Sequence, residues 1–258
     1  MGSRTTKKLL SSDKLILDGK SLRFFSTQRT GGTSVAVVEE ILSVVTTNLV
    51  VHLDASNSSS YGGSGTTWTD LTGGNNVTLV NGPTFNNGYG GSIVFDGTDD
   101  YAQSGTSSDL IIGTQDYTMS LWVKYDSAKS EICLMDNRTA HGNGTTFSLV
   151  QVGDYMRVKV WEDNTSSYSF ESSTNLNPNT WYNITYTRIS NSASMYIDGV
   201  QDGSSWTQTY NYSGGNQLTL GGIILRKLVN PWTVIFLMFY FMSIKDLHHR
   251  KLHKTIMQ

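Results

Sequence analysis

Residues 181–203 read WYNITYTRISNSASMYIDGVQDG. From Tyr182 the residues alternate, with Tyr182, Ile184 and Tyr186 on one face and Asn183, Thr185 and Thr187 on the other, as a half-buried strand requires. Ser190 to Ser192 supply small polar turn chemistry, Met195 to Ile197 form a return strand, and Asp198-Gly199 and Asp202-Gly203 are dipeptides that tight hairpins favour. The stretch therefore predicts meandering antiparallel sheet.

The rest of the chain repeats this pattern. Leu49 to Ser56 opens the series; a polar Ser/Gly loop follows, in which Trp68 and Leu71 are expected to anchor the chain to the core. Asn81-Gly82 and Asp96-Gly97 mark turns, Ile93 to Phe95 a strand, and Tyr101 the start of another. Tyr117 to Tyr125 alternates along its whole length and is expected to be central, and strands recur up to Gln217 to Leu220. Many short strands without intervening amphipathic helices predict an all-β fold, a two-sheet antiparallel jelly-roll sandwich.

Composition agrees. Among 258 residues there are 25 Gly, only 3 Pro and 16% charged residues, a balance that suits many strands joined by short turns. The formal charge of -2, with no basic cluster in the β-rich middle, argues against a nucleic-acid partner. A single cysteine, Cys133, excludes an internal disulfide and is expected in a buried strand. The start, MGSRTTKKLL, is basic but lacks the apolar run of a secretory signal. Residues 1–46 lack the turn spacing of the remainder and read as a leader or attachment segment, or as a disordered extension; within them Thr30 to Thr33 is a short break, and Val35 to Val45 fits either a short helix or a strand.

Six stretches in order carry a resemblance: LVVHLDAS (49–56), GTTWTDLTGGNNVTLVNGPTF (65–85), SIVFDGTDDYAQ (92–103), YTMSLWVKYD (117–126), NTWYNITYTR (179–188) with SMYIDGVQDG (194–203), and LTLGG (218–222). Together they resemble the laminin-G-like jelly-roll domains of the concanavalin A-like lectin/glucanase superfamily, in the Asn/Gly/Thr-rich form found in phage appendages and microbial surface proteins. The resemblance implies a concanavalin A-like sandwich over residues 47–222, a virion or extracellular setting, and a fibre in which copies could form a homo-oligomer.

After LTLGG the family continues with a closing strand, whereas this chain runs into IILRKLVNPWTVIFLMFYFMSIKDLHHRKLHKTIMQ (223–258). Thr233 to Ile244 offers about a dozen apolar residues, short of the roughly 20 that span a bilayer as a helix, so no membrane span is expected. Joining each codon's third base to the next two forces four residues: Trp232-Thr233 gives Asp, Met238-Phe239 gives Val, Phe239-Tyr240 gives Leu, and Met257-Gln258 gives Ala. All four agree with the family's ending, so residues 223–258 are expected to be an out-of-frame tail. Val234 to Met242 is apolar at every position and would expose one hydrophobic row in a strand; the expectation is an unclosed or sticky edge, with low solubility or a tail that is disordered or loosely docked.

For function, three chemistries are weighed. Catalysis in a retaining glycosidase needs two carboxylates about 5 to 5.5 Å apart, and no Glu-x-Asp-x-x-Glu run occurs; Glu162 and Asp163 are adjacent and point to opposite faces in a strand. Glycan binding needs aromatic faces beside amides and acids. Candidates are Trp161, Trp206, Tyr210 and Tyr212, with Asn137, Arg138 and His141 in a neighbouring loop; ordinary packing explains Trp161 and Trp206 equally well, and Trp122 and Trp181 are expected in the core. Calcium is the third, because Asp96, Asp99 and Asp100 lie in one turn, although the same acids can simply hydrogen-bond backbone amides. The expectation is a non-catalytic module that binds a glycan or surface polysaccharide, with a purely structural fibre or decoration domain as the alternative.

Overall fold

The structure is a computed structural model; it describes the strands of residues 14–17, 21–30 and 33–43, and residues 46–126, 129–137, 146–162, 165–221 and 234–244. The chain forms two compact units, Met1–Val45 and Thr46–Gln258. In the first, β1 (Lys14–Leu17), β2 (Ser21–Thr30) and β3 (Thr33–Ser43) make a three-stranded antiparallel sheet. The segment left open between helix and strand is therefore strand, and the break expected at Thr30 to Thr33 is where β2 and β3 meet, with Thr30 opposite Thr33.

In the second unit the chain runs β4 (Leu49–Asp54), β5 (Thr67–Trp68), β6 (Val77–Val80), β7 (Thr84–Asn86), β8 (Ser92–Phe95), β9 (Tyr101–Ser104), β10 (Asp116–Tyr125), β11 (Lys129–Asp136), β12 (Thr146–Gly153) and β13 (Tyr155–Glu162). It continues through β14 (Thr165–Glu171), β15 (Tyr182–Ile189), β16 (Ser192–Ile197), β17 (Val200–Thr207), β18 (Thr219–Leu220) and β19 (Val234–Ile244). One sheet has the order β17-β16-β15-β10-β19-β8-β7, with β4 also paired to β19; the other has the order β14-β13-β12-β11-β18-β9-β6-β5. This is the expected all-β sandwich. Leu121, Val123, Ile184 and Tyr186 of the first sheet share one core with Leu134, Phe147, Leu149 and Val158 of the second. Tyr117 and Tyr186 reach across to Phe147, with ring centroids 6.4 and 5.5 Å apart.

The decisive hairpin forms as read. Ser190 and Asn191 both take positive φ (49° and 63°), as do Asp198 and Gly199 (50° and 77°), so each two-residue turn carries the twist that antiparallel neighbours need. Asp202-Gly203 is a correction: it lies inside β17, not at a turn. Gly203 has φ +72°, the register slips opposite Ala193 to Met195, and the buried Asp202 carboxylate accepts the amide hydrogens of Ser173 and Thr174. That bulge latches an edge of one sheet to the chain leaving the edge of the other. Trp122 is a second correction, since it alternates away from Leu121 and Val123 and is half-buried, as is Trp181. Cys133 and Trp68 are buried as expected.

The tail departs most from expectation. Val234–Ile244 is not outside the sandwich: β19 pairs with β10 from Val234 opposite Tyr125 to Ile244 opposite Asp116, and on its other edge with β8 and β4. The physical reason is that β10 and the β8 and β4 edges need a strand's worth of backbone partners, and N–H and C=O groups pair whatever side chains they carry. By register, the positions of Met238, Tyr240 and Met242 stand opposite Trp122, Ser120 and Thr118. Among the described residues no helix is long and apolar enough to cross a membrane.

Two outcomes follow. A chain ending at Gly222 loses β19 and leaves three strands with open ladders, so it is expected to lose cooperative thermal unfolding or to aggregate; an unchanged melting curve would show that β19 carries no stability. His52, buried in β4, is held by that burial at a pKa of about 4, below its ordinary 6.5, with the Asp70 carboxylate offsetting part of the shift. The unfolded chain takes up this proton from pH 6.5 downward while the folded chain refuses it until about pH 4. Stability is therefore expected to fall as pH drops through that window, and His52→Gln to flatten the fall in denaturant titrations.

Candidate functional site

One end of the second sheet gathers residues 105–115 after β9, Asn137 at the end of β11, and residues 208–218 before β18. They meet because β18 pairs with both β11 and β9, placing Leu220 opposite Met135 and Ala102. Among these loops lies a small, partly open depression lined by Leu110, Ile112, Met135, Asn137, Gln217 and Leu218, with room for about one water. Its floor is apolar. Leu110, Ile112, Met135 and Leu218 are buried core residues.

Asn137 supplies its polar point. Only 3% of Asn137 is exposed, and its Oδ1 accepts the Phe147 amide hydrogen at 2.9 Å while the Asn137 backbone N–H donates to the Phe147 carbonyl. That bond fixes which end of the amide is free. Nδ2 has no hydrogen-bond partner among the described residues, an arrangement that costs about 1–3 kcal/mol when nothing accepts its hydrogens. Gly215 is the reason the amide fits, because a Cβ there would collide with the Asn137 carbonyl oxygen and side-chain amide. Gln217 donates from Nε2 to the Ser104 carbonyl and is thereby pinned to β9.

The loops are held by Arg188. This guanidinium is 1% exposed and donates to the carbonyls of Gln115, Gly113 and Tyr210 and to Gln208 Oε1. Its Cζ lies 5.0 and 5.4 Å from the ring centroids of Tyr117 and Tyr212, close enough for cation–π attraction. Among the described residues it has no carboxylate partner. Gly113 and Tyr212 exchange both backbone hydrogen bonds at 3.0 Å, so the Ile112 wall and the Tyr210 segment move as one body.

The sequence candidates separate on this geometry. Asn137 lines the depression and Tyr210, half-buried, belongs to the loop beside it. Tyr212 is fully buried among Tyr117, Phe147 and Tyr210 and is core, since a ring without exposed surface cannot stack on a ligand. Trp206 stacks on Phe170 with centroids 3.6 Å apart and planes 7° apart, so one face of its ring is already covered. Trp161 sits in β13 opposite Thr146 and Ser166; its side chain is outside the described residues, as are Arg138, His141 and Asp163. Leu110, Ile112, Met135, Gln217 and Leu218 carry no sequence signal of a site. Arg188 does carry one: it falls on the face of Ile184 and Tyr186, where a charge is out of place.

Asp96, Asp99 and Asp100 do come together, with one carboxylate oxygen of each within 4.8 Å of the others. Asp96 Oδ1 accepts the amide hydrogens of Thr98, Asp99 and Asp100, and Asp100 Oδ2 accepts that of Asp96. Slight burial works against it, but these donors bring the Asp96 carboxyl below its usual range. Burial, together with the charges of Asp96 and Asp99, raises that of Asp100. The turn that carries the chain from β8 in one sheet to β9 in the other is thus built by its own carboxylates. For calcium, with six to eight oxygen ligands, three carboxylates already committed in part to the backbone are an incomplete shell.

Replacing Arg188 tests the staple. Arg188→Met is expected to cost about 3 kcal/mol or more in urea unfolding, because three carbonyls lose their donor inside the core. Arg188→Lys is expected to recover only part of it, since an ammonium lacks the planar fork that reaches both loops. A cost within about 0.5 kcal/mol for either would show that the loops close without it.

With the geometry established, comparison with known proteins is informative. The sequence profile described as the concanavalin A-like lectin/glucanases superfamily matches residues 96–227, just over half of the chain. No curated protein sequence matches. The botulinum neurotoxin serotype G binding domain superposes with TM-score 0.62 at 15% identity, over 81% of this chain and 50% of that one. A structure described as showing that cell entry of botulinum neurotoxin type C depends on interaction with two ganglioside molecules gives TM-score 0.61 at 12% identity, over 81% and 51%. The binding domain of botulinum neurotoxin DC in complex with rat synaptotagmin II gives 0.61 at 13%, over 83% and 51%. The chain spans about half the length of these structures, and identities this low speak for the fold alone.

Proposed function

We propose that this chain, which belongs to the concanavalin A-like lectin/glucanases superfamily, is a non-catalytic module that binds a carbohydrate or surface polysaccharide, set on a virion or extracellular surface. The observation that carries the reading is the loop-end depression with a fixed, buried amide donor at its edge, Asn137 Nδ2. A desolvated donor without an acceptor costs free energy; buried as it is, Nδ2 meets a ligand oxygen only when the loops around it yield. Sugars offer such oxygens beside C–H faces, which suit the apolar floor and the neighbouring Tyr210. The fold is one that serves in binding domains, one of them in complex with rat synaptotagmin II and one described with two ganglioside molecules, and the reading is consistent with that use.

Binding without turnover is the expected result when the full chain is incubated with a printed panel of bacterial and algal polysaccharides. Saturable retention on at least one polysaccharide, with no reducing ends released, supports the reading. Release of reducing sugar would make it an enzyme, and no retention on any would favour a structural fibre domain.

A further inference from the structure

Among the described strands, β17 is the longest that ends a sheet of the sandwich with no strand on its outer side. The other edges are short, covered or charged. β5 has two residues and β7 three. The outer side of β4 is taken by the chain at Asp70 and Leu71, because the His52 N–H donates to Asp70 Oδ1 and the His52 carbonyl accepts the Leu71 amide. β14 carries the exposed Glu171, ion-paired with Arg157. Along β17, in contrast, Gln201, Gly203, Ser204, Ser205 and Thr207 are exposed and uncharged, and Val200 is 71% exposed. Its one carboxylate, Asp202, is buried on the amides of Ser173 and Thr174. An edge strand that must stay single is usually guarded by lysine or proline, and β17 has neither.

We infer that β17 is a contact surface for a second copy of this chain, the two strands pairing antiparallel about a two-fold axis at Ser204. The register follows from which backbone groups are free. Asp198-Gly199 is a two-residue turn, so Ile197 and Val200 exchange hydrogen bonds across it, and the alternation of the ladder turns Asp202 toward β16 as well. From the far end, the Gln208 amide donates to the Asn191 carbonyl, and Trp206 stands opposite Ala193. Even-numbered positions therefore direct N–H and C=O groups inward, and those of Gln201, Gly203, Ser205 and Thr207 point out. Outward groups must stand opposite outward groups in an antiparallel pair. An axis at Ser204 sets Gln201 against Thr207 of the second copy and Gly203 against its Ser205. These pairs are neutral, so no like charges meet. This match of the strand with itself is what selects a second copy as the occupant. Because each copy uses the same strand, the contact closes at two and does not propagate, and the bulge at Gly203 keeps the paired stretch short. In the single chain the outward Gly203 carbonyl accepts Gln201 Nε2 at 3.3 Å, a long bond that an N–H from the second copy would displace.

The test is sedimentation velocity on the full chain over a dilution series. A strand-to-strand contact is at the small end of specific interfaces, so a reversible monomer–dimer equilibrium in the micromolar range is expected. Ser204 is exposed and its side chain makes no hydrogen bond among the described residues, so substitutions there spare the fold. Ser204→Lys sets two ammonium groups together at the axis and is expected to be monomeric throughout with an unchanged melting temperature. Mixing it with Ser204→Glu is expected to restore the dimer. Ser204→Cys lies at a position where facing Cβ atoms come within about 4.5–5.5 Å, and mild oxidation is expected to link it about tenfold faster than Ser59→Cys, an exposed loop control. A wild-type chain that stays monomeric overturns the inference, as does a dimer that Ser204→Lys leaves intact, since its contact lies elsewhere. Cross-linking of Ser204→Cys no faster than the control overturns the two-fold axis.

Discussion

A guanidinium buried without a carboxylate is the constraint around which this end of the sandwich is arranged. Taking an unpaired charge out of water is prohibitive unless its hydrogens are all accepted, and Arg188 meets the condition with three carbonyls, one side-chain amide oxygen and two tyrosine rings. None of those acceptors is in β15 itself. They come from residues 113–115 and 208–210, so β15 cannot bury its last core position until both loops have closed over it. Burial pushes the Tyr186 hydroxyl up to about 12 and raises those of Tyr117 and Tyr212 as well, so these rings stay neutral beside the cation. The depression at Asn137 inherits its shape from this closure, because Ile112 precedes the first of the two loops and Gln217 follows the second.

The other dependence is on β19. Jelly-roll sheets are built from strands distant in sequence, and here the central β10 has β15 on one side and the chain's last described strand on the other. A strand at that position satisfies two neighbours at once, and its ladder counts for more than its side-chain pattern. This is why an apolar run with no alternation takes a place that alternation would deny it.

Much of the fold was legible because its signals are local. Alternation in Tyr182 to Thr187, and two turns whose residues tolerate positive φ, depend on the next residue and the one after. Asp202-Gly203 misled because a G1-like bulge and a hairpin turn ask for the same glycine, and only the neighbour opposite tells them apart. The site was legible in part. Asn137 and Tyr210 stood out as an amide and an aromatic near one another in chemistry, but Tyr212 has the same composition and is core. Burial separates them, and burial is a property of the assembled sheets. Leu110, Met135 and Leu218 are ordinary apolar residues that become a pocket floor only because β9, β11 and β18 are neighbours.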